Sequence, residues 1–306
     1  MDALRLDAVV KRFGDFTAVN DLSFAVAPGE VFGFLGGNGA GKTTSLRMVL
    51  DILRPDQGSI AVLGKPPGRG ASARLGFLPE ERGLYRTMTA IETIVYFGRL
   101  KGMATADARR EGLVLLDRFG LGAFAKTTVD KLSKGMAQKV QLATAIVNKP
   151  DLLILDEPFS GLDPVNQGLL EDEIIDAAKG GAAVVFSTHV MQHAERLCDR
   201  LLFLAHGRKQ FEGTQDGARD TLPVRLTLVA QHSPATLAGV EGAEDKGPAA
   251  AEGWRMWDVR LAPGGDPGDL LQHCTAQGFA LRRFEQQRAS MHDVFLHIVG
   301  GAEARP

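Results

Sequence analysis

The segment GGNGAGKTT at 36–44 constrains the fold of this chain more than any other feature. It fits the pattern GxxxxGK[ST], a compact apolar run at 31–35 precedes it, and a helical pattern follows it to residue 53. Small residues allow consecutive backbone N–H groups to turn inward around an anion, and the start of a helix adds its partial positive charge. The segment therefore predicts a phosphate-binding loop between a buried strand and a helix, as in α/β folds.

Individual residues of this loop have predictable roles. Lys42 is expected to reach the β- and γ-phosphates of a nucleotide, and the hydroxyl of Thr43 to hold Mg²⁺. A flexible glycine-rich turn is the alternative, but it leaves the flanking strand and helix unexplained. The predicted nucleotide-binding residues are Gly36, Gly37, Asn38, Gly39, Ala40, Gly41, Lys42, Thr43 and Thr44.

A second motif, LLILDEP at 152–158, combines an apolar run with two acidic residues. The apolar residues predict a buried strand, and Asp156 lies at its carboxyl end, where α/β sheets bind ligands. Asp156 is expected to join the Mg²⁺ shell, and Glu157 to orient or deprotonate an attacking water. Alone, the motif equally fits a strand followed by a helix-capping acidic pair. Together with the phosphate loop it predicts phosphoryl transfer to water.

The remaining sequence predicts two domains. Short apolar runs alternate with helical periods over most of the chain. Between about 84 and 148 only helical patterns occur, which indicates a helical subdomain there. Glycine and polar residues cluster near 216–220, which predicts a boundary between a nucleotide-binding domain at 1–218 and a small α+β accessory domain at 221–306. The predicted elements of the second domain are strands at 224–230, 254–261 and 280–287, helices at 268–276 and 290–299, and a Gly/Ala/Pro-rich loop at 238–253.

Charge and composition exclude several classes of protein. A formal net charge of -2 gives no electrostatic reason for binding nucleic acid. Cys198 and Cys274 are too few and too distant for a disulfide framework or a zinc module. The apolar runs fall short of the roughly 18 residues that a membrane span needs, and the start of the chain lacks a signal-peptide core. We therefore expect a soluble, cytoplasmic protein that reaches a membrane only through a partner.

Three further motifs follow in a fixed order: LSKGMAQK at 132–139, SGLD at 160–163 and VVFSTH at 184–189. With the phosphate loop and the acidic strand, they resemble the nucleotide-binding subunit of an ABC transporter over about residues 4–215. The resemblance implies a P-loop ATPase core of the ABC type, with a mixed sheet and a helical subdomain, that binds ATP and Mg²⁺. The tail resembles the short C-terminal extension of sodium-, drug- and peptide-export ATPases, which implies export.

The resemblance also implies catalytic and metal-binding roles. Glu157 and His189 correspond to the catalytic residues, and Thr43, Asp156 and Glu80 to the metal-binding set. The family usually has Gln where this chain has Glu80. A carboxylate can still accept a hydrogen bond from a metal-bound water, although it adds negative charge beside the triphosphate.

Other residues are implied to contact ATP from outside the phosphate loop. Phe13, in VVKRFGDF, matches the aromatic residue that stacks on adenine, although an ordinary hydrophobic contact is the alternative. The segment LSKGMAQK matches the family's signature motif and is called the signature segment below. In it, Lys134 and Met136 stand where the family has Gly and Gln. The residues implied to contact ATP held by a second copy are Ser133, Lys134, Gly135 and Asp163.

The implied partners are a second copy of the chain and an integral membrane permease. The homodimer would hold two ATP molecules between its copies, and the permease would dock near Glu80–Phe97 and keep the chain on the inner face of the membrane. No nucleic acid partner is implied. Core packing inside the subdomain is the alternative for the apolar residues of that segment: Leu84, Tyr85, Met88, Ile91, Ile94, Val95 and Phe97.

Two other functions stay open at this point. One is an ABC-type ATPase that acts on ribosomes or DNA, but those types carry tandem phosphate loops, long coiled coils or zinc insertions, and this sequence has none of these patterns. The other is a regulatory module that does not hydrolyse ATP. The presence of both Glu157 and His189 argues against that module.

Two local patterns suggest other chemistry and are assigned to structure instead. NKPD at 148–151 spells the guanine-reading motif of GTPases, but it precedes a strand where that motif follows one, so we predict a turn. His189 and His193 have a spacing that suits a metal on one helical face, but Val190 stands where zinc proteases of the HExxH type need Glu. We therefore expect His193 to be a surface residue.

Overall fold

The computed structural model describes residues 1–81 and 83–303, which form two compact units, one from Met1 to Gln215 and one that begins at Asp216. Two predictions extend beyond the described residues. Arg82, inside the predicted docking segment Glu80–Phe97, and residues 304–306 of the predicted second domain lie outside them. In the part of the chain that the structure describes, no helix is both long and apolar enough to cross a membrane.

The first unit contains the phosphate-loop segment and the acidic motif LLILDEP. Its strands are β1 (Leu4–Phe13), β2 (Phe16–Val26), β3 (Val31–Leu35), β4 (Gln57–Val62), β5 (Leu75–Leu78), β6 (Leu152–Asp156), β7 (Ala183–Thr188), β8 (Arg200–Ala205) and β9 (Arg208–Thr214). Its helices are α1 (Lys42–Val49), α2 (Arg69–Ser72), α3 (Ala90–Leu100), α4 (Thr105–Arg118), α5 (Lys134–Ile146), α6 (Pro164–Lys179) and α7 (Met191–Leu197), and α8 (Gln215–Arg219) spans the division between the units.

A six-stranded mixed sheet in the order β5-β6-β7-β3-β8-β9 forms the centre of the first unit. The strands from β5 to β8 are parallel, and β9 pairs antiparallel with β8. A three-stranded antiparallel sheet in the order β2-β1-β4 accompanies it. The predicted α/β fold with a mixed sheet is therefore confirmed. Because β6, β7 and β3 are neighbours and parallel, their carboxyl ends lie side by side at one edge of the sheet.

Continuous apolar runs explain the central strands. Every residue of β3, β6 and β7 is buried, as expected for parallel strands that are covered on both faces. Aromatic packing joins the two sheets, because the rings of Phe24 on β2 and Phe32 on β3 stack with their centroids 5.3 Å apart. The core of this unit is thus shared between the two sheets.

Helices α3, α4 and α5 form the helical subdomain between β5 and β6. Helix α3 begins with a capping box, in which the hydroxyl of Thr89 accepts from the N–H of Glu92 and the Glu92 carboxylate accepts from the N–H of Thr89. Ile91 and Ile94 are buried inside the subdomain. Their burial supports core packing for these two members of the predicted docking segment.

One strand at the sheet edge was not predicted. Residues 208–214 form β9, although their glycine and polar residues suggest only the approach to a domain boundary. The strand is half-exposed and pairs with the buried strand β8, including Phe203 opposite Phe211. Its conformation therefore depends on a neighbouring strand more than on its own apolar pattern.

The second unit contains a four-stranded antiparallel sheet and two helices. The strand order is β11-β12-β10-β13. The apolar core includes Leu228, Trp257, Val259 and Cys274. The elements are β10 (Arg225–Ala230), β11 (Val240–Pro248), β12 (Arg255–Leu261), α9 (Pro267–Ala276), β13 (Leu281–Gln287) and α10 (Met291–Glu303).

The predicted loop at 238–253 is wrong over most of its length. Residues Val240–Pro248 form β11, which pairs along its length with β12. As an edge strand, β11 has no fully buried residue, so its sequence lacks the apolar alternation that identifies a strand. Hydrogen bonds to β12 hold these residues in a strand, which their composition does not predict.

Candidate functional site

The loop at 36–44 has a backbone that only glycine allows at two positions. A Cβ atom at Gly36 would lie 2.5 Å from the carbonyl oxygen of Leu204. Gly41 has a φ of 106° and precedes α1, and a Cβ atom there would lie 2.5 Å from the carbonyl oxygen of Ala18. The glycines therefore let the loop pass closely between β8 and β2. They also direct the amino end of α1 into the loop, where its N–H groups favour an anion.

Lys42 lies inside the loop. Its side chain is only 6% exposed, and its Nζ donates to the carbonyl oxygens of Gly36 at 2.7 Å and Gly37 at 3.3 Å. The same Nζ is 3.4 Å from Oε1 of Glu157, so the fold brings the loop and the acidic motif together. A triphosphate offers this ammonium group stronger, anionic acceptors.

Asp156 ends β6 next to the first turn of α1. Its carboxylate is buried and accepts hydrogen bonds from the hydroxyls of Ser187, at 2.5 Å, and Thr43. Burial raises the pKa of Asp156, and these two hydrogen bonds and the charge of Lys42 oppose the rise. A carboxylate beside a threonine hydroxyl is an oxygen donor set that suits Mg²⁺, which takes one or two carboxylates plus phosphate oxygens.

Glu157 has a left-handed backbone conformation, and both its backbone N–H and its carboxylate have partners. Its φ is 46°, a conformation that is uncommon for residues other than glycine. Its N–H lies 3.2 Å from the carbonyl oxygen and 3.0 Å from the hydroxyl of Ser187. Its Oε2 is 2.9 Å from Nδ1 of His189. The two predicted catalytic residues are therefore in direct contact.

The prediction that His193 is a surface residue is wrong. Its ring is buried and stacks on Phe159, with the centroids 3.9 Å apart. Its Nδ1 is 3.6 Å from Oε1 of Glu171 on α6, and burial lowers its pKa. His189 instead contacts Glu157 and is half exposed. Among residues 1–81 and 83–303 there is no group of three or more His, Cys, Asp or Glu residues that could hold a metal ion.

The signature segment and SGLD meet each other at the starts of two helices. The hydroxyl of Ser133 accepts from the N–H of Met136 and caps α5, as its residue type suggests. Asp163 caps α6 by accepting from the N–H of Asn166 at 3.0 Å, which lowers the pKa of Asp163. A Cβ atom at Gly135 would lie 3.0 Å from Nδ2 of Asn166, so the two helix starts are adjacent. Within the described residues, no hydrogen bond or ion pair joins these segments to the 36–44 loop.

Lys134 departs from the family pattern and lies beside SGLD. Its Nζ would be 2.6 Å from a Cβ atom at Gly161, and its side chain is exposed. The lysine therefore adds a positive charge at the point where the two helix starts meet. The sequence alone did not indicate this neighbour.

Glu80 follows β5, one strand outside Asp156 in the sheet. It is exposed, and its loop is attached to α5 by a residue that the sequence analysis did not single out. Nε2 of buried Gln141 donates to the carbonyl oxygens of Pro79, at 3.3 Å, and Glu81, at 3.2 Å. The loop that carries Glu80 is thus anchored to the signature helix.

Phe13 lies at the tip of the β1–β2 hairpin and is 48% exposed. Nζ of Lys11 lies 5.6 Å from the centroid of its ring. Farther along β2, Ala18 and Val19 contact Gly41 of the loop. Phe13 thus lies exposed on the hairpin that also passes the loop, and its contact with a base stays a prediction.

The NKPD segment is attached to its surroundings by its polar side chains. Asn148 accepts from Nζ of Lys101 at 3.1 Å and donates to the carbonyl oxygen of Ala73. Asp151 forms an ion pair with Arg74. The segment connects α5 to the amino end of β6, opposite the edge that carries Asp156. This geometry agrees with a helix-to-strand turn.

Comparisons with known proteins agree on one family. A family model described as ABC transporter matches residues 19–160. An uncharacterized ABC transporter ATP-binding protein of Bacillus subtilis is 38% identical over 97% of this chain and 98% of its own length. The Nod factor export ATP-binding protein I of Sinorhizobium fredii is 36% identical over 97% of this chain and 86% of its own length.

Solved structures give the same result. A structure of an ATP-binding subunit of an ABC transporter has a TM-score of 0.68 and 31% identity, and the match covers 72% of this chain and 92% of that one. A nucleotide-free ATP-binding cassette from an ABC transporter has a TM-score of 0.61 and 21% identity, over 70% of this chain and 92% of that one. The second similarity is one of fold alone.

Proposed function

This chain belongs to the ABC transporter family, as an ATP-binding subunit with ATPase activity, and on that premise we propose that it drives export through a separate membrane permease. The direction is supported by the relatives named for Nod factor export and by the C-terminal extension. The contact of Glu157 with both Lys42 and His189 is the observation that carries the catalytic part of the proposal, because it assembles a hydrolytic site at one sheet edge.

Hydrolysis joins a water oxygen to the γ-phosphorus and breaks the bond to the β–γ bridging oxygen, which releases ADP and phosphate. Glu157 orients the water and accepts its proton. Lys42 and the amino end of α1 stabilise the negative charge of the phosphates. His189 holds the carboxylate of Glu157 and contacts the γ-phosphate.

Thr43, Asp156 and Glu80 are proposed to hold Mg²⁺. The two oxygens of Thr43 and Asp156 already share a hydrogen bond, so the residues present fit this ion. Bound Mg²⁺ neutralises negative charge on the phosphates. Glu80 differs from the other two because it is exposed. Its carboxylate would therefore contact the ion through a water molecule, and not directly as Thr43 and Asp156 would.

We propose that two copies close around two ATP molecules. The signature residues Ser133, Lys134 and Gly135, with Asp163, form a group separate from the phosphate loop and would complete the site of the second copy. Closure is favoured by contacts to the γ-phosphate and reversed when hydrolysis removes them. Residues 1–218 are proposed as the nucleotide-binding domain and 221–306 as an accessory domain.

Permease docking is proposed near Glu80–Phe97. Tyr85 is exposed, and its ring packs edge-on against Tyr96 at 5.4 Å between centroids, which supports an aromatic contact surface. The hydrogen bonds of Gln141 attach this segment to the signature helix. Movement of the permease would therefore be transmitted to α5, the helix that Ser133 caps.

Copurification from native membranes tests the proposed partner. The affinity-tagged full chain is expected to bring down an integral membrane protein and to hydrolyse ATP in the complex. Identification of the partner by mass spectrometry checks this result. Recovery with ribosomes or DNA instead would support the alternative class of ABC-type ATPases, and a complex without ATPase activity would support a regulatory module.

Replacement of Phe13 by alanine tests the base contact. Stacking of a base on an aromatic ring contributes about 1–3 kcal/mol, so Phe13→Ala is expected to weaken ATP binding by roughly 5- to 150-fold. Phe16→Ala is the control, because Phe16 is the exposed partner of Phe13 across the same hairpin. Equal affinities of the two variants in calorimetric titration would assign Phe13 to ordinary packing.

A further inference from the structure

Ser187 links the two acidic residues of the site through one hydroxyl group. It is fully buried near the carboxyl end of β7 and lies directly opposite Asp156 of β6 in the sheet register. Its Oγ donates to Oδ1 of Asp156 at 2.5 Å and accepts from the N–H of Glu157 at 3.0 Å. The hydroxyl therefore bridges the side chain of Asp156, where β6 ends, and the backbone N–H of Glu157.

That peptide unit needs support. Glu157 has a φ of 46°, which a residue with a Cβ atom adopts only when its surroundings compensate. The carbonyl oxygen of Ser187 also accepts from the same N–H, at 3.2 Å. Main-chain and side-chain oxygens of one residue therefore hold the backbone of Glu157 in its left-handed conformation.

The position of Ser187 relative to His189 gives this support a functional direction. His189 follows directly after β7, which ends at Thr188. Ser187 holds the backbone N–H of Glu157, and His189 holds its carboxylate, at 2.9 Å. Ser187 in β7 and His189 just after it thus fix both the position and the direction of the glutamate side chain.

We propose that Ser187 is a positioning residue for ATP hydrolysis. By fixing the backbone at Asp156 and Glu157, it sets where the Glu157 carboxylate meets the attacking water. The inference rests on the proposed function of Glu157, and Ser187 itself touches no reacting atom. ATP binding without Mg²⁺ depends on the 36–44 loop and Phe13 and not on Asp156, so it should be independent of Ser187.

The test compares hydrolysis with nucleotide binding in variants of the full chain. In Ser187→Ala, kcat is expected to fall by about 10²-fold, the effect of a misplacement of roughly 1 Å in a catalytic group. Affinity for a fluorescent ATP analogue, measured without Mg²⁺, is expected to change less than about twofold, because its contacts with the 36–44 loop and Phe13 are retained. Ser187→Thr keeps the hydroxyl and is expected to recover most of the lost kcat.

Ser23→Ala is a matched control. Oγ of Ser23 accepts at 2.8 Å from the N–H of Ala8, which is also a left-handed residue, but this pair lies between β1 and β2. The control should hydrolyse ATP like the unchanged chain. If both serine variants lose kcat equally, or Ser187→Ala loses nucleotide affinity together with kcat, the positioning role is wrong.

Two further variants keep the test decisive. If Ser187→Ala does not fold, Ser187→Cys retains the volume with a much weaker donor and is expected to show the same loss in kcat alone. Glu157→Gln is measured in parallel. An inactive Glu157→Gln with a fully active Ser187→Ala overturns only the role of Ser187, whereas a fully active Glu157→Gln overturns the proposed site itself.

Discussion

Glu157→Gln is expected to reduce ATP hydrolysis by about 10²- to 10⁴-fold, the range that a positioned general base contributes. The amide keeps the size of the side chain and a hydrogen bond with His189, but it cannot accept the proton of the attacking water. The phosphate-binding residues are unchanged, so ATP should still bind. We therefore expect the variant to accumulate as an ATP-bound dimer.

Phosphate release and size-exclusion chromatography with Mg²⁺ and ATP measure the two parts of this prediction. Glu173→Gln is a suitable control, because Glu173 is also a buried carboxylate with a cationic neighbour, Arg118 at 2.8 Å, but it lies on α6 outside the site. Normal turnover in Glu157→Gln would remove this residue from the catalytic role. If Glu157→Gln binds ATP but stays monomeric, both by itself and in the presence of its permease, the proposed dimer is wrong.

Lys42→Ala is expected to weaken ATP binding by about 10²-fold or more. Hydrogen bonds to charged groups contribute about 1.5–3 kcal/mol each, and this ammonium group is placed to contact two phosphates. The loss should appear in affinity itself, unlike the loss in Glu157→Gln. Hydrolysis in Lys42→Ala then fails because ATP is not held.

Calorimetric titration of Lys42→Ala with ATP, together with thermal unfolding, checks this prediction. The thermal measurement is needed because Lys42 also donates to Gly36 and is an ion-pair partner of Glu157 in the folded chain. Lys139→Ala is the control, since Nζ of Lys139 also donates to a backbone carbonyl, that of Phe119. Unchanged affinity in a folded Lys42→Ala would contradict the phosphate-loop assignment.

The sequence predicted those parts of the fold and site that depend on local chemistry. The loop at 36–44 is recognised from residue types at short spacing, and its glycines are required by a nearby carbonyl at Gly36 and a positive φ at Gly41. Strand β3 is recognised because it is apolar along its length, and β6 because it is apolar up to Asp156. The cap that Ser133 forms on α5 is local as well, since a cap bonds to the residue three positions later.

Two edge strands, β9 and β11, and the buried position of His193 could not be predicted in this way. Strand β11 is made of residues that favour loops and is ordered by pairing with β12. His193 has the polarity of a surface residue, but it is buried because Phe159 and Glu171 approach from other parts of the chain. In both cases the deciding partner is distant in sequence.

The amino-acid sequence by itself determined the chemistry of this protein: which residues can hold phosphate, and which can act on water. Only the tertiary structure decided that Ser187, thirty residues after Glu157, bonds to its backbone, and that Gln141 anchors the loop of Glu80. The physical reason is range. Residue type and spacing determine local backbone geometry, whereas strand register and helix packing, which bring distant side chains within 3 Å, arise from the whole core.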